Sequence, residues 1–212
     1  MVGLCDDNSL MKCINWQKKD SRIIIVSRKD TSLGDARNYG LNIAKGKYLS
    51  YVDADDYIEY SFIEEMVRPL EEDDTLTLTC CGLDKFDGDR IEEGWIPQKK
   101  YLLNTNLKEY MDNICFGTVW LKMYRREWIV SKKIVMFDGC HEDDAMHICL
   151  GATVQNICCI QKPLYHYNIG NNQSLMHGTR QISQYIDALR FAFDYLKKIR
   201  CLKIIKIFYR VK

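Results

Sequence analysis

Short apolar runs alternate along this chain with longer stretches whose apolar residues recur at helical spacing, and that alternation confines it to α/β layer architectures. Arg22-Ile23-Ile24-Ile25-Val26-Ser27 is β-branched and reads as a buried strand. Turn residues occupy 29–34, and a helix is expected over 35–44, with Asp35 near its cap and Gly46 just beyond its end. A second strand, Lys47-Tyr48-Leu49-Ser50-Tyr51-Val52, stops at Asp53-Ala54-Asp55-Asp56. Ahead of these, residues 2–5 read as a strand end that enters the turn cluster Asp6-Asp7-Asn8-Ser9.

Further along, Phe62, Met66 and Leu70 predict a helix over about 60–70, and residues 75–81 return to strand. Residues 82–103 are polar and carry no clear period. Helix is expected at 106–115, extended chain at 118–124 and a short helix at 126–131. His141-Glu142-Asp143-Asp144 opens a helix carried by Ala145, Ile148, Cys149 and Ala152, so its acids lie in a first turn that favours negative charge. A strand at 154–161 and a short extended piece at 165–167 follow. Ile182, Tyr185, Ile186, Leu189, Phe193 and Leu196 then mark an amphipathic helix over 182–196.

With 212 residues, 47% of them hydrophobic and only three prolines, the chain has enough apolar surface for a core, which excludes disordered and fibrous classes. Thirty basic against twenty-nine acidic residues give +1, so the surface as a whole is not built to hold nucleic acid. Residues 195–212 carry seven Lys or Arg and no acid, which leaves the remainder at −6. None of the ten cysteines forms a C-x-x-C, and no histidine pairs with them at zinc spacing. Adjacent thiols Cys80-Cys81 and Cys158-Cys159 sit in apolar runs and are expected to be reduced and buried on opposite strand faces. No secretory leader is legible and no apolar stretch approaches the roughly 20 residues of a membrane span, so the expected location is the cytoplasm.

The chemistry concentrates at strand ends, where α/β proteins commonly bind ligands. Three carboxylates within Asp53-Ala54-Asp55-Asp56, a D-x-D pattern, repel one another unless a positive charge sits among them. A hard divalent cation, Mg²⁺ or Mn²⁺, would neutralise them and bridge to a diphosphate; a solvated turn with helix-capping acids is the plainer alternative. Asp6-Asp7 forms a second acid pair, and Arg37 offers a bidentate cation on the helix between the strands. Glu142-Asp143-Asp144 forms a third acid group. One carboxylate set for a metal and another for proton abstraction is what metal-assisted group transfer needs.

In this order the residues resemble the family 2 glycosyltransferases, inverting enzymes with a GT-A fold. The resemblance rests on Asp6-Asp7-Asn8-Ser9, Arg22-Ile23, Leu33-Gly34-Asp35-Ala36-Arg37-Asn38-Tyr39-Gly40-Leu41, Gly46-Lys47-Tyr48 and Tyr51-Val52-Asp53-Ala54-Asp55-Asp56. It continues in Trp120-Leu121-Lys122-Met123-Tyr124-Arg125-Arg126, Glu142-Asp143-Asp144, Pro163-Leu164-Tyr165-His166-Tyr167 and Ser174. It implies a mixed central sheet flanked by helices, N-terminally incomplete, over residues 1–180; the basic amphipathic helical segment at 181–212 is read from charge and spacing.

By the same resemblance, Asp7 would bind the nucleotide base, Arg37 would lie near base and diphosphate, and Asp53 would face the ribose. Asp55, with Asp53, would hold Mn²⁺ or Mg²⁺, and Asp56 would support them. Asp143 would be the general base, with Glu142 orienting it. The implied activity is metal-dependent, inverting transfer from a nucleotide sugar, a UDP-sugar, to a glycan or lipid-linked acceptor hydroxyl, as in polysaccharide biosynthesis. Trp120 is the aromatic expected to stack on a sugar; Tyr124, Trp128, Tyr165 and Tyr167 are expected in the core. His141 is a further candidate for contact with diphosphate or metal.

The chain departs from the family pattern in three places. It begins at what is usually the third element, without the usual first strand and helix, Met11 stands where an Asp is usual, and Thr31-Ser32 replaces Asn-Gly. An alternative is therefore a truncated, inactive remnant that only binds a nucleotide sugar or a partner weakly. A nucleotidyl or phosphoryl transferase would use the same acids, but no Gly-rich phosphate loop is present. For the tail, a helix presenting Leu196, Ile199, Leu202, Ile205 and Phe208 to lipid at the inner face of the membrane stands beside a terminal helix packed on the domain.

Overall fold

The computed structural model describes residues 7–29, 31–115, 117–171 and 182–201. The first half comprises α1 (Ser9–Gln17), α2 (Leu33–Ile43), β1 (Tyr48–Ser50), β2 (Tyr57–Ile58), α3 (Phe62–Glu72), β3 (Leu78–Asp87), β4 (Arg90–Glu93) and β5 (Tyr101–Leu102). The second comprises α4 (Leu107–Asn113), β6 (Lys122–Arg125), α5 (Arg126–Ser131), α6 (Glu142–Gly151), β7 (Ile157–Asn168) and α7 (Ile182–Lys198). A single 3₁₀ turn, Val119–Leu121, leads into β6, so the stretch expected to be extended at 118–124 is extended only in its second half.

The described strands form one mixed seven-stranded sheet in the order β1-β6-β3-β7-β2, with β4 added to β3 and β5 to β7. Its centre is the parallel pair β3 and β7, in register from Leu78 opposite Ile157 to Phe86 opposite Asn168, with a bulge around Gly82. All other pairings are antiparallel. Both sheet faces are covered, which explains why β3 opens with six consecutive buried residues rather than an alternating pattern. Cys80, Cys81, Cys158 and Cys159 are accordingly all buried free thiols, and burial pushes Cys81 up to about 12. On one side Phe62, Met66 and Leu70 of α3 recur at four-residue spacing and are fully buried.

α6 is buried almost along its whole length because α7 and α4 pack over it. The inner line of α7 is Ala188, Ala192 and Leu196, and its two alanines are small enough to let the helix approach closely. Ile182 and Ile186, expected on that inner face, are exposed. Leu196 belongs to the core, which corrects its assignment to a lipid-facing stripe; Ile199 stays partly exposed, and positions 202, 205 and 208 lie outside the described residues. No helix among the described residues is long and apolar enough to cross a membrane.

The expected strand at residues 22–27 does not form. Only Ser27 makes an isolated bridge, no residue of the segment is buried, and Ile24 is 74% exposed. An apolar run becomes a buried strand only where neighbouring strands take up its backbone groups, and among the described residues this one has no such flanks. Residues 2–5, the other expected strand end, lie outside the described residues, whereas Ser9 begins α1, a helix that the turn reading of Asp6-Asp7-Asn8-Ser9 did not foresee.

Candidate active site

α2 is started by Ser32, whose hydroxyl accepts the Asp35 N–H at 3.0 Å, so Asp35 lies in the first turn rather than at the cap itself. One turn further, Arg37 is buried beneath the loop that follows β1. Its guanidinium divides between two carboxylates, donating from one terminal nitrogen to Asp53 Oδ1 at 2.6 Å and from the other to Glu142 Oε1 at 2.9 Å. Residues 105 apart in sequence are thereby tied together, which brings the D-x-D turn against the first turn of α6. The charge among the acids that repulsion requires is thus supplied, for Asp53, by Arg37 itself.

Asp53-Ala54-Asp55-Asp56 links β1 and β2, which lie at opposite ends of the sheet path. The turn closes through Asp56 N–H to Asp53 O at 3.2 Å. β7 fastens it from below. The Tyr165 hydroxyl accepts the Asp53 N–H at 3.1 Å and donates to Asp56 Oδ2 at 2.7 Å, while the Asn168 N–H reaches Asp56 Oδ1 at 2.8 Å. Burial raises the Asp56 carboxyl above its ordinary range. Asp55 is exposed, and its Oδ2 accepts from Asn171 Nδ2 at 2.7 Å.

At the start of α6, His141 holds a left-handed backbone (φ 65°) and its Nδ1 lies 3.0 Å from Asp144 Oδ2. Tyr185 of α7 approaches the His141 ring edge-on, 4.9 Å between centroids. Asp143 Oδ1 accepts the Asp144 N–H at 2.9 Å. Burial, followed by the Glu142 and Asp144 charges, pushes Asp143 up to about 6, a shift that Arg37 opposes. Gly117 faces these acids: it has φ 67°, and a Cβ there would lie 2.7 Å from Asp144 Oδ1 and 3.5 Å from Asp143 Oδ2. Both the backbone and the close approach therefore demand glycine. Behind it the fully buried Lys122 ammonium donates to the Thr118 carbonyl and hydroxyl, and burial brings it down to about 8.

Comparison with known proteins decides the family. The model of "Glycosyl transferase family 2" matches residues 4–130. The chain belongs to glycosyl transferase family 2. Two Bacillus subtilis proteins named as glycosyltransferases, EpsH and EpsJ, are 24% and 25% identical to it over 73% and 74% of its length. The chain spans about half the length of these relatives, 46% and 48%. Among solved structures, S. aureus TarS 1–349 in complex with UDP-GlcNAc superposes with a TM-score of 0.75 at 14% identity, over 91% of this chain and 55% of that one. That likeness shows the fold, the GT-A type with its mixed sheet and flanking helices.

Within this family 2 chain, Arg37, Asp53 and Glu142 are in direct contact, with Asp143 next in sequence. Asp7 lies in the bend before α1, its Oδ1 accepting the Ser9 N–H at 2.9 Å; Asp6 is outside the described residues. Trp120 is buried, tilted against Tyr165 (4.4 Å) and stacked on Tyr167 (5.4 Å, 5°), so it supports other aromatics where a sugar platform was expected. Tyr165 is in the core as expected, yet its hydroxyl belongs to the site. Sequence reasoning also passed over Gly117, Asn168, Asn171 and Lys122. Only Lys122 had a signal, a lone cation inside the apolar run Val119-Trp120-Leu121-Lys122-Met123-Tyr124.

Proposed function

We propose that this chain transfers a sugar from a nucleotide sugar, a UDP-sugar, to a hydroxyl of a glycan or lipid-linked acceptor with inversion at the anomeric carbon. The observation that supports this reading is the Asp53–Arg37–Glu142 ion triad, which ties the D-x-D turn to the first turn of α6, where Asp143 follows Glu142. Asp143, held near pH 6, is poised as a general base at neutral pH. It takes the acceptor hydroxyl proton; the oxygen attacks the anomeric carbon from the face opposite the nucleotide, and the bond to the diphosphate breaks with its electron pair leaving on the nucleoside diphosphate. Glu142 acts through Arg37, and Asp7 is assigned to the base.

Among the described residues no group of three His, Cys, Asp or Glu side chains could hold a cation by itself. With Asp53 engaged by Arg37, the exposed carboxylate of Asp55 is the oxygen ligand that would hold Mn²⁺ or Mg²⁺. Such an ion, when bound, would neutralise charge on the leaving diphosphate. The UDP-GlcNAc held by TarS supports a uridine nucleotide as donor carrier.

The test is nucleoside diphosphate release from a panel of nucleotide sugars with Mn²⁺. Release from at least one donor, lost in Asp55→Ala, is expected; absence of nucleotide binding at millimolar concentration would overturn the assignment. The exposed, unsheeted residues 22–27 favour a second reading, a chain that binds a nucleotide sugar weakly and transfers nothing. Donor binding without product in the presence of acceptor glycans would support it.

A further inference from the structure

We propose that Tyr165 is a positioning residue that sorts the three acids of the D-x-D turn and so leaves Asp55 facing outward to receive the cation, a role that rests on the transferase reading above. Three carboxylates in four residues have no intrinsic reason to separate. Here each has a different partner. Asp53 goes to Arg37, and Asp56 goes to Tyr165 Oη and the Asn168 N–H, while Asp55 is exposed and, among the described residues, its carboxylate accepts from the Asn171 amide.

The phenol is suited to this task because one hydroxyl can accept and donate at once. Its acceptor side fixes the first backbone N–H of the turn, at Asp53, and its donor side fixes the last side chain, at Asp56. An ionised carboxylate at 165, which can only accept, could not make that pair of contacts. The ring in turn is held by its burial and by Trp120, which is itself stacked on Tyr167. Asn168 adds a further tie, Nδ2 to the Asp55 carbonyl at 3.2 Å, so the backbone that aims Asp55 is attached to β7 on both sides. Residues of this kind, which orient a metal ligand without touching the metal, typically change metal affinity by roughly 10- to 100-fold when altered.

The experiment is Mn²⁺ binding followed by electron paramagnetic resonance, with and without UDP, on the wild type, Tyr165→Phe, Asp56→Asn and the double variant. An amide at 56 can accept from only one of the phenol and the Asn168 N–H, so it interrupts the same link without emptying the core. Each single variant is expected to weaken Mn²⁺ binding in the presence of UDP by at least about 10-fold, with UDP affinity in the absence of metal unchanged and the double variant no worse than the weaker single one. Unaltered Mn²⁺ binding in both folded single variants overturns the inference alone. Loss of metal-free UDP binding in step with a lower melting temperature also overturns it, since that pattern belongs to a folding role. A wild type that binds neither Mn²⁺ nor UDP overturns the transferase reading and the inference with it.

Discussion

Two six-residue runs that both read as strands meet opposite fates in this molecule. Leu76-Thr77-Leu78-Thr79-Cys80-Cys81 leads into β3, flanked by β6 and β7 and buried from both faces, whereas residues 22–27 gain one isolated bridge and leave Ile24 exposed. The helices divide the same way: α1 buries nothing, while α6 buries eight of its ten residues. Strand propensity therefore permitted both runs, and sheet neighbours decided between them. The candidate site belongs to the buried half, with α2 reaching into it through Arg37.

The sharpest way to break the contrast is to cut that link. Arg37→Ala removes the buried guanidinium that Asp53 and Glu142 share, and a loss of about 3–5 kcal/mol in urea unfolding is expected, together with loss of transfer. In the well-sheeted half, Leu78→Ala should cost about 2–5 kcal/mol, because the side chain is fully buried between packed layers.

Asp143→Asn should act in the opposite direction on stability. Because the folded state raises this carboxyl from 3.8 to about 6, ionising it opposes folding; the penalty is absent below about pH 4 and complete above about pH 6. The amide is therefore expected to stabilise the fold by up to about 3 kcal/mol at pH 7–8, with the gain gone at pH 4, while transfer activity collapses. In the wild type the transfer rate should rise with pH through about 6. The smallest effect is expected at Ile24→Ser, within about 0.5 kcal/mol, since the side chain is already in solvent; a loss as large as that of Leu78→Ala would mean the two runs are equivalent after all.

Elements whose pattern is local were legible in the sequence. Residues 126–131 form a helix at the expected bounds, the α6 acids occupy a first turn, and α3 follows the spacing of Phe62, Met66 and Leu70. The hairpin β4 within the polar stretch was not legible, since its alternation is weak and its partner β3 continues past the expected end at 81. The site was legible in residue type but not in connection. Arg37 and Glu142 are 105 positions apart, and Tyr165 and Asp53 are 112 apart, so their pairing depends on the parallel β3–β7 centre rather than on any short motif. Tyr165 shows the same limit: its ring is fully buried while its hydroxyl bonds the D-x-D turn, and periodicity reports only the burial.

The most direct measurement is a crystal structure with UDP and Mn²⁺, using the manganese anomalous signal to place the ion. The ion is expected on Asp55 beside the diphosphate, with Asp143 on the same surface across from the nucleotide. An ion and nucleotide bound on a surface that Asp143 does not share would contradict it.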